Sequence, residues 1–181
     1  EFSLTGGGGD QRMIVDPLKV AVAVALTGVL AYAGYTDWRH RRLPNWCSLA
    51  GLALFVPWAF SGPIDGVLLA LAAFALAAVI TFTMYAFKII GAGDSKLFSV
   101  LALFAGIKLL PTFALVVAVS GGVVAMIYIA LRPTENLIAF QSRGKVTYGR
   151  GVPYGLAIAP GALVIVWMQA LGLTTLLKLP V

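Results

Sequence analysis

Asp94 stands in the run Gly91-Ala92-Gly93-Asp94-Ser95-Lys96, between two long apolar stretches, and Asp37 closes another such stretch. A carboxylate in that setting is expensive and asks for a functional reason. Brought together, two aspartates suit hydrolysis of a peptide bond. Close carboxylates cannot both ionise cheaply, so they share a proton. The ionised member activates water while the protonated member polarises the scissile carbonyl. Such a pair titrates as one coupled unit, which leaves acid and base unassigned. A structural reading competes: Asp37 could pair with Arg41, and Asp94 could cap the helix that follows it. Gly91 and Gly93 fit both readings. Lacking a Cβ, they allow positive φ, an opened helix end or a close substrate backbone, and equally a plain turn.

The elements that must position these residues are membrane helices. The chain has 181 residues, 60% of them hydrophobic and only 11% charged, with a mean hydropathy of +0.95. That composition belongs to an all-α polytopic membrane protein, because backbone in lipid must satisfy its own hydrogen bonds. The apolar runs are continuous rather than alternating, which excludes a β-barrel. Six spans are expected, at about 17–36, 46–60, 64–87, 95–110, 112–131 and 153–177. The second and fourth are short. Ser61-Gly62-Pro63 and Lys108 through Pro111 read as turns between neighbouring spans. Residues 132–151 read as an extramembrane loop. Residues 1–12, with glycines 6 to 9, read as an artificial remnant or flexible leader, and 13–181 as one membrane-embedded domain.

Six spans place the loops alternately on two sides. One side holds Arg39, Arg41, Arg42, Lys88, Lys96, Arg132, Arg143, Lys145 and Arg150; the other holds Lys19, Lys108 and Lys178, with Arg12 if the leader counts. The richer side is expected to be cytoplasmic, with both termini outside. The net charge of +6 then reflects topology and attraction to anionic lipid, not nucleic-acid binding. Asp37 and Asp94 fall on the cytoplasmic side near span ends, at one membrane depth. Asp16 and Asp65 fall at the opposite surface as solvated loop charges, and Glu135 lies in the long loop. A single cysteine, Cys47, excludes an intrachain disulfide and a Cys-x-x-Cys zinc site, and the lone His40 adds no metal set. No metal and no cofactor are expected.

Three blocks carry a resemblance. They are Asp37-Trp38-Arg39-His40-Arg41-Arg42-Leu43-Pro44-Asn45, Gly91-Ala92-Gly93-Asp94-Ser95-Lys96-Leu97, and the run from Val152 through Pro153-Tyr154-Gly155 to Ala162. Over about Val15 to Gly172 their order and spacing resemble the bacterial type IV prepilin peptidases, membrane aspartic proteases of the Gly-x-Gly-Asp class. The resemblance implies a catalytic pair, Asp37 and Asp94. It implies prepilin or pseudopilin substrates, cut at the cytoplasmic face of the inner membrane after a short basic leader, typically after glycine. The apolar stem of the pilin would stay in the bilayer. Larger members carry a further segment with paired Cys-x-x-Cys motifs, linked to N-methylation. This chain is more similar to the minimal peptidases of tight-adherence (Flp-type) pilus systems, which implies cleavage without methylation.

Around that pair, Lys96 could balance charge or contact substrate, or simply snorkel to the surface. Pro44 and Asn45 are expected to start span two, the proline as a rigid turn and the asparagine as a cap, with a possible wall role in the site. Tyr154 could donate a hydrogen bond into the site or anchor the interface. The basic run Arg39, Arg41 and Arg42 is explained by topology, and His40 reads as a solvated loop residue. Catalysis is expected to need the loop after span three to bring Asp94 towards Asp37. The rival readings are a preflagellin or other Gly-x-Gly-Asp intramembrane protease, a small ion-coupled transporter, and a non-catalytic pilus-assembly protein. The cognate pilin and the oligomeric state are not legible.

Overall fold

The computed structural model describes residues 16–40, 43–131 and 155–173. They form five helices: α1 (Pro17–His40), α2 (Asn45–Phe60), α3 (Ile64–Ala86), α4 (Ala92–Leu131) and α5 (Gly155–Ala170). α1 opens on a proline, whose missing N–H costs nothing in a first turn. The Asp16 carboxylate caps it, accepting the Leu18 N–H at 3.0 Å. Asp16 is therefore a cap rather than a free loop charge. The expected end at Thr36 falls short: α1 runs on to His40 and carries Asp37 within its last turns.

The turn expected at Ser61-Gly62-Pro63 is present. Ser61 ends α2 and Pro63 precedes α3, in extended conformation at ψ 154°. The turn expected at Lys108–Pro111 is not there. The chain turns instead at Gly106, whose φ of 64° and ψ of 172° lie where side chains are essentially not tolerated. Phe98 and Phe113 show how sharp this is. Their rings lie 4.8 Å apart, whereas a straight helix would separate residues so spaced by about 22 Å. α4 therefore doubles back on itself, in arms 92–105 and 107–131. Pro111 is the fifth residue of the second arm, so the break precedes it and is not made by it.

Six expected spans thus meet five helices, the fourth of them folded in two. Three helices are long and apolar enough to cross a membrane by length and composition: Pro17–His40, Ile64–Ala86 and, within α4, Ala92–Ile127. α2 and α5 are apolar but have 16 residues each, about 24 Å against a hydrocarbon core of about 30 Å. The expected loop at 132–151 lies outside the described residues, as do both margins of the sixth expected span.

The first arm of α4 is the axis of the molecule. Its Leu97, Leu101, Ala102, Leu103 and Phe104 are buried, with α2, α3, α5 and its own second arm around it. Phe104 meets Phe55 and Trp58 edge-on, each at 5.5 Å, the arrangement ring quadrupoles favour. Small residues bring the second arm against α5: Ser120 donates to the Ala157 carbonyl at 2.7 Å, and Gly161 leaves no room for a Cβ beside Val117. Close backbone approach of this kind drives helix association in lipid. Leu68, Val79, Phe82 and Met126 are exposed on the outside, as suits a protein whose solvent there is hydrocarbon.

Candidate active site

Helix direction alternates, so His40, Asn45, Ala92 and Gly155 come together at one end of the bundle. Contacts between these elements fix that end: Gly155 with Asp37, Gly93 with Leu43, and Lys96 with Asn45. Both aspartates lie there, as the span count predicts.

Asp37 is only 6% exposed. Its Oδ2 accepts the Gly155 backbone N–H at 2.8 Å, across 118 residues of sequence. This N–H belongs to the start of α5, where unpaired donors and the helix dipole both favour negative charge. Space dictates the residue type opposite. A Cβ on Gly155 would lie 2.8 Å from Oδ2 and 3.1 Å from Cγ of Asp37, so only glycine lets the carboxylate in. The proposed ion pair with Arg41 falls outside the described residues.

Asp94 is half-buried in the first turn of α4. Its carboxylate turns back onto the backbone of Gly91, the backward reach of a third-position acid in a capping box. Gly91 makes this possible, because a Cβ there would sit 2.8 Å from Oδ2 of Asp94. This contact holds Asp94 at the mouth of α4, at the end of the bundle where Asp37 also lies.

The link from α1 to α2 lies between the two. Leu43 sets its Cβ 3.0 Å and its carbonyl oxygen 3.4 Å from where a Cβ on Gly93 would stand, and its Cδ2 3.1 Å from where one on Gly155 would stand. Pro44 then turns the chain into α2 at φ −65° and makes no side-chain cap. The cap expected of Asn45 is absent too. Asn45 is the first residue of α2, and its Oδ1 accepts from Lys96 Nζ at 3.4 Å. Lys96 is exposed, so it ties the link to α4 rather than entering the bundle. His40 and Arg39 are exposed at the end of α1. Tyr154, Arg42 and the rest of the run before Gly155 lie outside the described residues.

A polar cluster behind the site is absent from the sequence reading. Ser95, next to Asp94, donates to Thr81 Oγ1 at 3.0 Å; Thr81 and Ser99 hydroxyls lie 3.1 Å apart; Ser99 donates to the Ser95 carbonyl at 2.8 Å. All three are buried. They pin the start of α4 to α3, and so fix where Asp94 emerges. Beside them a groove of about 510 Å³, with Leu49, Leu52, Phe74 and Phe82 in its walls, opens between α2 and α3 and reaches Lys96 and Asn45. Among the described residues no three His, Cys, Asp or Glu side chains gather as a metal site.

Gly155 and Leu43 are the site residues that sequence reasoning missed. Both stand in the quoted blocks, but neither carries a functional group. What they do depends on partners from distant helices.

The arrangement offers two carboxylates at helix ends, each closely approached by a glycine, at one end of an apolar bundle. The model of the type IV leader peptidase family matches residues 24–126, which include both aspartates. No curated protein and no solved structure matches the chain.

Proposed function

The chain belongs to the type IV leader peptidase family, a family of membrane aspartic peptidases acting on prepilins, and on that premise we propose that Asp37 and Asp94 are its catalytic pair. The observation that carries this is their meeting at one end of the bundle, Asp37 held by the Gly155 backbone N–H and Asp94 turned back onto Gly91 in the first turn of α4. In the reaction, the ionised carboxylate takes a proton from water as the oxygen attacks the carbonyl carbon. The protonated carboxyl gives its proton to the carbonyl oxygen. The tetrahedral intermediate then collapses, the C–N bond breaks, and a proton passes to the departing amine. Movement of the loop between α3 and α4 would bring Asp94 towards Asp37 around one water.

The substrate proposed is a prepilin of the tight-adherence (Flp) type, its leader at the cytoplasmic face of the inner membrane and its apolar stem in the bilayer. Support comes from the single cysteine, so that no paired Cys-x-x-Cys motifs stand within these 181 residues, and from the excess of Lys and Arg on the aspartate side. Six crossings fit this orientation, with α2, the first arm of α4 and α5 accommodated by local thinning of the bilayer. Both termini would then lie outside. An ion-coupled transporter is the weaker reading, because the acids stand at helix ends and not at mid-bilayer, where coupled sites lie.

Co-expression with an Flp-type prepilin tests the proposal, with the loss of the leader followed as a gel shift. The parent cleaves. Asp37→Asn and Asp94→Asn, at matched membrane levels, each lose about a hundredfold or more, the scale of a missing acid–base group. Cleavage at the parental rate by either variant removes that residue from the chemistry.

A further inference from the structure

Leu43 fills the space between the two halves of the site. Its backbone and Cβ press on Gly93, the neighbour of Asp94, and its Cδ2 reaches Gly155, which holds Asp37. The Cβ position of Gly93 is 3.0 Å from one end of this side chain, and that of Gly155 is 3.1 Å from the other. The two glycines are therefore separated by one leucine and nothing larger. A side chain at Gly93 would meet the backbone and Cβ of the leucine, and one at Gly155 would meet its terminal methyl.

The backbone of the leucine is held on its C-terminal side. Pro44 fixes the backbone after it, and Asn45 is tied to Lys96 of α4. Leu43 also lies on the link beyond the ends of α1 and α2, at the rim of the bundle and not among the lipid-facing helices. On the leader-peptidase reading, a chain whose apolar stem runs in the bilayer and whose polar leader runs outward would pass this rim with its leader side towards Leu43.

We propose that Leu43 determines specificity, by limiting the size of the last leader residue next to the scissile bond. The inference rests on the leader-peptidase reading above. With leucine at position 43, the space beside Gly93 and Gly155 admits little beyond a bare backbone. A shorter side chain frees volume there without touching either carboxylate.

The test uses the full-length enzyme in membranes and prepilins carrying Gly, Ala or Val as the last leader residue. A second set varies the first residue of the mature pilin. Cleavage rates are read as ratios within each enzyme, for the parent, Leu43→Ala, Leu43→Met and Leu43→Phe. A misfolded fraction lowers every rate by one factor and leaves the ratios unchanged. We expect Leu43→Ala to raise the Ala-to-Gly and Val-to-Gly ratios at least tenfold, Leu43→Met to keep the parental ratios, and Leu43→Phe to lower them. Ratios at the first mature position stay constant. Equal ratios in all four enzymes overturn the inference alone, as does a shift confined to the mature side. A parent that cleaves no member of either set overturns the leader-peptidase reading, and the inference with it.

Discussion

A Cβ on Gly155 would stand only 2.8 Å from Asp37 Oδ2, so a side chain there must displace the carboxylate. Gly155→Ala is accordingly expected to push the carboxylate from the Gly155 N–H and lower prepilin cleavage about a hundredfold, the effect of roughly 1 Å of misplacement at a reacting group. The protein should still reach the membrane at parental level, since α5 gains a better helix former. Quantifying cleavage against membrane abundance checks this, and unchanged cleavage would mean that the contact does not aim Asp37. The aspartates themselves were legible from the sequence, because a charge beside apolar runs needs no partner to be conspicuous. Gly155 was not, since its role is defined by a carboxylate 118 residues away. Asn45 was misread for a similar reason. Its place after a proline suggests a cap, but Lys96 lies within reach and takes the side-chain oxygen instead.

Between residue and molecule, helix ends decide where the two carboxylates sit. α3 ends with Ile89 N–H bonded to the Met84 carbonyl and Lys88 N–H to that of Tyr85, with Lys88 at φ 59°. This is the Schellman closure, in the left-handed position that glycine usually fills. It turns the chain sharply back, so that Gly91 and Asp94 follow within one short loop. Hydropathy reveals that a break exists here but not its handedness. At the other end of α4's first arm, Lys108 and Pro111 look like the natural break, yet the turn belongs to Gly106, whose backbone conformation excludes other residues. Open space surrounds the missing Cβ of Gly106, so Gly106→Ala acts through the backbone alone. It should destabilise the fold by about 1–3 kcal/mol, and a thermal-shift measurement on the detergent-solubilised protein would show it as a lowered midpoint. An unshifted midpoint would mean that the turn can be made without a positive φ. The effect on cleavage should follow the folded fraction, because Gly106 lies at the end of the bundle opposite the aspartates.

At the scale of the whole chain, counting apolar runs was enough to bring Asp37 and Asp94 to one end. The count survives the loss of the Lys108 turn because the fold-back at Gly106 returns the chain in the same sense. Which end faces the cytoplasm rests on the charge bias alone, and two positions can report it. Exposed His40 closes α1 at the aspartate end, while Gly62 lies in the turn at the opposite end with nothing within 4 Å of its missing Cβ. Cys47 is buried, and Cys47→Ala gives a thiol-free background. With the outer membrane permeabilised, a membrane-impermeant maleimide should label Gly62→Cys in intact cells, and His40→Cys only after the inner membrane is breached. The reverse pattern would put both carboxylates on the outer face. A newly made prepilin holds its leader in the cytoplasm, so an enzyme inserted that way could not meet the bond it is proposed to cut.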